Sequence, residues 1–255
     1  MEISGRSVLV TGASGGLGTA IVEELARRGA QVTVTARRAA ELESLAGRTA
    51  AQVLVADLAD DAGLAEVTAA AEATDILIAN AGIGADVPIA EMDAGHVDLS
   101  IAVNLRAPIL LAAAFVNARV AARLPGQVVF IGSLSGLAPT PMTRMYNATK
   151  FGLRGFALSL REDLVGTGVG VSIVEPGFIR DAGMFAEGDI DLPSGVRTKA
   201  PADVADGVVR AIVGDRGEVF VAPVELRVAA TLATVAPAIS SRVQRRIGTA
   251  DMKSH

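Results

Sequence analysis

The stretch VLVTGASGGLGTAIVEEL, residues 8–25, decides the class of fold. Its opening run, Val8–Thr11, is aliphatic or β-branched throughout, which predicts a strand covered on both faces. TGASGGLG follows, Thr11 to Gly18, and then Ile21, Val22 and Leu25 recur at helical spacing. Gly12, Gly16 and Gly18 let the backbone turn tightly and approach a ligand closely. The helix that begins there aims its free N–H groups and the positive end of its dipole at an anion. Ser14 and Leu17 lie in the same loop. The spacing is not the commonest Gly-x-Gly-x-x-Gly fingerprint, and the Gly-Lys-Ser/Thr ending of a P-loop is absent, which disfavours nucleotide hydrolysis.

Outward from this unit, the pattern repeats. Strands are predicted at Val8–Thr11, Gln31–Ala36, Val53–Ala56, Asp75–Asn80, Val128–Ser133, Gly170–Glu175 and Glu218–Ala222. Helices are predicted at Leu17–Arg28, Ala39–Leu45, Gly63–Ala71, a bent Glu91–Leu124, Met145–Val165 and Ala202–Val213. Such alternation implies right-handed βαβ units, hence a doubly wound parallel α/β sheet with helices on both faces. No linker or repeat divides residues 1–255. Residues 178–200 form the one long stretch without periodicity and are expected to be a substrate lid.

Composition narrows the function. The chain of 255 residues is 51% hydrophobic and 20% charged, a globular balance. A net charge of −5 offers no basic surface for nucleic acid. Without cysteine there is no disulfide, thiolate nucleophile or zinc–thiolate site. The two histidines, His96 and His255, fall on a helix and at the last position, so neither a Ser–His pair nor a metal site is expected. The N-terminus enters a strand without the pattern of a signal peptide, and no uncharged apolar run reaches the roughly 18 residues of a span. A cytoplasmic protein is the expectation.

MYNATKFG, residues 145–152, holds the only tyrosine and one of three lysines. Tyr146 and Lys150 stand at i and i+4, on one face of a helix. A free phenol titrates near pH ~10, and a cation held beside it favours phenolate, which suits a general acid/base.

TGASGGLG, NAG at Asn80–Gly82, YNATK and PG at Pro176–Gly177 resemble, in order and spacing, the short-chain dehydrogenase/reductase family; Ser133, thirteen residues before Tyr146, matches that family's serine. The resemblance covers essentially the whole chain and implies a single-domain Rossmann-type fold and a nicotinamide-dependent oxidoreductase interconverting a carbonyl and an alcohol. It implies that Tyr146 exchanges the proton, that Lys150 lowers its pKa and holds the nicotinamide ribose, and that Ser133 binds the substrate oxygen. Asn104, in VNLRAP, resembles the member that holds a water in a relay to the lysine. The cofactor would also touch Asp57 (at the adenine), Leu58, Asn80, Ala81, Gly82, Pro176, Gly177 and Ile179. Asp181 stands where the family has a threonine for the carboxamide. A regulator that binds the cofactor without turnover is the alternative, but it would not need Ser133, Tyr146 and Lys150 together.

Cofactor choice turns on TVTARRAAE, Thr33–Glu41. An NAD enzyme usually ends its second strand with an acid that binds the ribose hydroxyls. This chain has Ala36 there, followed by Arg37 and Arg38, which can grip a 2′-phosphate. NADP(H) is therefore expected over NAD(H), with Arg37 the main determinant. Leu137–Met142 with Met184, Phe185, Ile190 and Leu192 suggests an apolar small-molecule pocket. The family commonly assembles through its long helices, here Ala107–Leu124 and Met145–Val165, so a homodimer or homotetramer is expected. In residues 225–247, Val228, Leu232, Val235, Ile239 and Val243 recur at helical intervals, with Pro237 as a possible kink and Arg242, Arg245 and Arg246 after it. Packing on the protein's own body or across a subunit contact is favoured there over attachment to an anionic membrane.

Overall fold

The computed structural model describes residues 1–84, 87–140, 142–180 and 197–236. Seven strands occur where alternating apolar runs predict them: β1 (Ser7–Thr11), β2 (Gln31–Ala36), β3 (Gln52–Val55), β4 (Ile76–Ala79), β5 (Gly126–Ile131), β6 (Val169–Pro176) and β7 (Glu218–Val221). All pair in parallel in the order β3-β2-β1-β4-β5-β6-β7. The winding reverses between β1 and β4, and the crevice beyond the carboxyl ends of the strands at that reversal is where such sheets bind ligands.

Both faces are covered, as the runs require. Val8 and Val10 of β1 join Ile21, Val22 and Leu25 of helix α1 (Gly16–Arg27) on one face, along with Leu42 and Leu45 of α2 (Ala39–Thr49). Leu9 points the other way, into a cluster with Leu77, Leu111, Phe115 and Phe130. That second layer is built from α3 (Asp61–Glu72), α5 (Ala107–Ala122) and α6 (Arg144–Asp163). Full burial of each such side chain is worth roughly 1.5–3 kcal/mol. β3 departs from the expectation of two covered faces. It is the edge strand, and Val53 and Val55, on one of its faces, stay exposed, whereas Leu54 on the other packs against the core.

The predicted bend in Glu91–Leu124 is a π-helical turn over Ala102–Arg106, between α4 (Ala94–Ile101) and α5. Ala94–Ala122 is, by length and composition alone, apolar enough to cross a membrane, although Asp98, Arg106 and Arg119 interrupt it. Half of its most apolar window is buried within the protein, so its hydrophobicity is that of a core helix. After β6, α7 (Pro201–Gly214) packs on α1, and α8 (Val224–Val235) follows β7.

The lid expected over 178–200 lies, for residues 181–196, outside the described residues; so do Asp181, Met184, Phe185, Ile190 and Leu192. Its two ends meet: Lys199 N donates to Phe178 O and Arg180 N to Lys199 O, each at 2.9 Å. Of the C-terminal segment, 237–247 is likewise outside, with Pro237, Ile239, Arg242, Val243, Arg245 and Arg246.

In the described part, α8, the recurring apolar residues do not pack on the protein's own body, the first of the two placements expected for them. Ala230 and Ala233 face the body, against Leu137 and Ala138, whereas Val228, Leu232 and Val235 are 51%, 59% and 80% exposed. The small alanines allow the close approach, so the larger residues one helical face away are left in solvent.

Candidate active site

The glycine loop is shaped by contacts that leave no room for side chains. Gly12 has φ +65, and a Cβ there would lie 2.7 Å from Ala81 Cα; at Gly18 it would lie 2.3 Å from Gly12 O. Asn80 clamps the same loop from β4, its Nδ2 donating to Thr11 O at 2.9 Å and Gly12 O at 3.1 Å. Thr11 Oγ1 in turn accepts from Asn80 N and Ala81 N, each at 3.0 Å. The NAG motif thus acts through the loop, with the Asn80 amide nitrogen committed to protein.

Helix α1 starts at this loop with no side-chain cap and no acid in its first turn. Its first N–H groups therefore remain as donors for an anion. Arg38 lies over the loop, its Nη2 donating to Ser14 O at 2.8 Å, and also pairs with Glu41 at 3.5 Å. Arg37 makes one loose ion pair, 3.9 Å from Asp57, with the arginine largely exposed and the aspartate partly so. Asp57 Oδ1 accepts from Ala59 N at 2.9 Å, which turns the chain after β3; Leu58 is buried beside it. An uncapped helix end, a cradle that a Cβ would fill and two guanidinium groups fit a dinucleotide bearing an extra phosphate. On the far side of the crevice, Gly177 N donates to Val221 O at 3.0 Å, and Ile179 is buried.

Ser133, Tyr146 and Lys150 come together at the ends of β5 and α6. The Ser133 hydroxyl accepts from Ser135 N at 3.1 Å, and a side-chain hydrogen bond joins Ser133 to Tyr146. Lys150 is buried, donates from Nζ to Ile131 O at 2.7 Å, and sits 5.6 Å from the centroid of the Tyr146 ring.

Burial pushes the Tyr146 phenol up to about 12, against the Ser133 hydrogen bond and with a further push from the Glu175 carboxylate. Burial also brings Lys150 down to about 8, opposed by the same carboxylate. Burial, the largest influence on the phenol, works against the lowering expected from Lys150, whose ammonium is turned onto the Ile131 carbonyl. At neutral pH the site holds a protonated phenol, the state that can give a proton.

Asn104, in the π-helical turn, is 1% exposed. Its side chain, expected to serve a water relay, is held by Ile83 through two hydrogen bonds and by Thr149 Oγ1 at 3.3 Å. The wider π turn swings this residue inward. Gly82 lies next to it, a Cβ there being 3.4 Å from Asn104 Oδ1 and 3.8 Å from Lys150 Nζ.

Two residues escaped sequence reasoning. Asn147 sits within YNATK but signalled nothing by itself. It is buried, and its Nδ2 donates to Ser135 O at 2.7 Å and Ala138 O at 3.1 Å, tying the loop after Ser133 to α6. Glu175 is fully buried behind Ser133 and accepts from the Ser133 N–H. An acid ending an otherwise apolar strand, just before PG, was the available signal. His96 is the exposed helix residue expected, bonded to Asp93 at 2.6 Å.

A family model described as short chain dehydrogenase matches residues 6–191. The ketoacyl reductase HetN of Nostoc sp. is 31% identical over 86% of this chain and 79% of its own length. Among solved structures, a short-chain dehydrogenase from Sphingobium yanoikuyae in complex with NADPH superposes with a TM-score of 0.77 at 27% identity, covering 97% of this chain and 96% of that one. The bulky-bulky ketone specific alcohol dehydrogenase from Comamonas testosteroni superposes with a TM-score of 0.74 at 27% identity, over 97% and 94%.

Proposed function

Since this chain belongs to the short chain dehydrogenase family, we propose that it is an NADP(H)-dependent oxidoreductase reducing a ketone of small to medium size, with Tyr146 as the proton donor. The observation that carries this reading is the meeting of Ser133, Tyr146 and Lys150 beside the glycine loop, with the phenol protonated.

The cofactor would be held by the α1 N-terminus, by the cradle of Gly12, Gly16 and Gly18, and by Arg37 and Arg38 at its 2′-phosphate; when bound it supplies the hydride. Arg37 is the better anchor, because its one contact is loose while Arg38 is committed to Ser14 and Glu41. Ser133 orients the carbonyl oxygen by a hydrogen bond. As negative charge builds on that oxygen, Tyr146 gives it the phenolic proton. An alkoxide is a far stronger base than a phenolate, so a phenol near 12 still donates downhill. The phenolate left behind is stabilised by the Lys150 ammonium, which is present below about pH 8. Burial of the phenol works against the reverse reaction, which needs the phenolate at the start.

The mostly apolar stretch Leu137–Met142, which follows the turn after Ser133, supports an apolar ketone as the substrate class. A homo-oligomer in the cytoplasm is part of this reading. The test is NADPH oxidation against a panel of apolar ketones, aldehydes and small polar carbonyls. Turnover with ketones is expected; none with any carbonyl would overturn the proposal.

A further inference from the structure

Glu175 is the penultimate residue of β6, its carboxylate fully buried on the face of the sheet that carries α6. Oε2 accepts from the Ser133 N–H, while among the described residues Oε1 has no hydrogen-bond donor. The nearest cation to Oε1 is Arg154 Nε at 3.9 Å, and that nitrogen donates to Glu218 Oε1 at 2.7 Å instead. The chain makes room for the carboxylate: a Cβ on Gly132 would lie 2.3 Å from Glu175 Oε2 and 2.7 Å from its Cδ. The last residues of β5 and the turn after it are therefore clasped twice, by Lys150 at the Ile131 carbonyl and by Glu175 at the Ser133 amide.

The charged and titratable groups facing Glu175 are Tyr146, Lys150 and Arg154 from α6 and Glu218 from β7. The turn from Leu134 to Gly136 brings none, and α7 covers the opposite face, where Gly207 meets Val174 and Val221. A buried carboxylate with one satisfied oxygen is expensive to keep charged. Burial, and then the Glu218 carboxylate, push Glu175 up to about 8, against the Ser133 N–H, Lys150 and Arg154. Lys150, its neighbour in charge, titrates in the same range.

We propose that Glu175 is a positioning residue for the reduction: its buried carboxylate anchors the Ser133 amide and places a charge that Tyr146 and Lys150 feel. It rests on the reading that these residues do the chemistry. Ionised, Glu175 keeps the lysine protonated; protonated, it leaves only the anchoring contact.

The single tyrosine makes this measurable without turnover. Protein labelled with carbon-13 at the tyrosine ζ position yields one resonance, which is followed from pH 6 to 10 in the wild type, Glu175→Gln and Glu218→Gln. The wild-type resonance is expected to inflect near pH 8. In Glu175→Gln the Glu175 inflection is lost and that of Lys150 moves down by roughly one unit, the size expected for removing a neighbouring opposite charge. In Glu218→Gln the Glu175 inflection moves to lower pH. The alkaline limb of kcat should fall to lower pH by a similar interval in Glu175→Gln and return in Glu175→Asp, with the KM for NADPH unchanged. Superimposable resonance titrations in the wild type and Glu175→Gln overturn the proposal, and so does an unmoved Glu175 inflection in Glu218→Gln. Absence of ketone reduction by the wild type would overturn the proposed function instead, and the resonance titration would still decide the coupling.

Discussion

Asn104 and Ile83 hold each other through two reciprocal hydrogen bonds of 2.7 Å, Ile83 N–H to Oδ1 and Nδ2–H to Ile83 O. The pair joins the π-helical turn to the segment after β4, and so places the Asn80–Gly82 motif against Lys150. Asn104→Ala would leave two partly buried backbone groups of Ile83 without this partner, a loss of at most about 1–3 kcal/mol each. A lowered Tm together with weakened NADPH binding is expected. Asn104→Asp can still accept from Ile83 N–H but cannot donate to its carbonyl, and should fall between the two. Calorimetry alongside cofactor titration checks this, and an unchanged Tm in Asn104→Ala would count against the clamp.

Tyr146→Phe keeps the ring and deletes the proton. General acid–base catalysis is worth ~10²–10⁴ in rate, so kcat should drop by that range while NADPH still binds. Steady-state kinetics with fluorescence titration of NADPH separates the two effects. Wild-type turnover in this variant would remove Tyr146 from the mechanism.

Arg37→Ala tests cofactor choice. A charge-assisted hydrogen bond contributes roughly 1.5–3 kcal/mol, so the Kd for NADPH should rise at least tenfold and that for NADH hardly change. Arg38→Ala should weaken NADPH less, because Arg38 is already engaged with Ser14 and Glu41. Equal loss of both cofactors in Arg37→Ala would contradict the assignment.

Stability should vary with pH through the buried pair. Glu175 is raised from 4.5 to about 8, so the native state binds more protons than the unfolded chain between those values. Its contribution is complete below 4.5 and lost as pH rises to about 8. Lys150 is lowered from 10.5 to about 8, so the unfolded chain binds more protons there, and stability recovers from about pH 8 toward 10.5. Tm measured at half-unit pH steps should pass through a shallow minimum near pH 8, and Glu175→Gln should flatten the descending limb. A Tm that rises steadily from pH 5 to 8 would show that these groups titrate elsewhere.

Val228 and Leu232 project from α8 into solvent, while Ala233 packs inward. If the outer stripe is a subunit contact, Val228→Glu with Leu232→Glu should lower the mass measured by light scattering and leave the circular dichroism spectrum unchanged. Ala233→Glu should instead destabilise the fold by burying a charge against Leu137 and Ala138. An unchanged mass together with lost flotation on anionic liposomes would point to a membrane contact.

Much of this protein was legible in the sequence because the signals are local. All seven strands and the main helices announce themselves through residue-to-residue periodicity, and Gly12 and Gly18 declare a turn with no room for side chains. The four-residue step from Tyr146 to Lys150 reads off helix geometry directly. Charges, by contrast, act across the fold. The ordinary values of a phenol and an ammonium suggest that Lys150 lowers Tyr146, and only the packed interior supplies the desolvation that pushes the phenol up and the ammonium down. Glu175 lies 42 residues from Ser133 in the chain, and no spacing rule could place its carboxylate beneath that amide. The same holds for α8. Helical periodicity identified an apolar stripe, but which face turns inward depended on how closely the helix approaches Leu137 and Ala138, and small alanines approach closest. Secondary structure follows from neighbours along the chain, whereas protonation and burial follow from neighbours in space, which only the tertiary fold supplies.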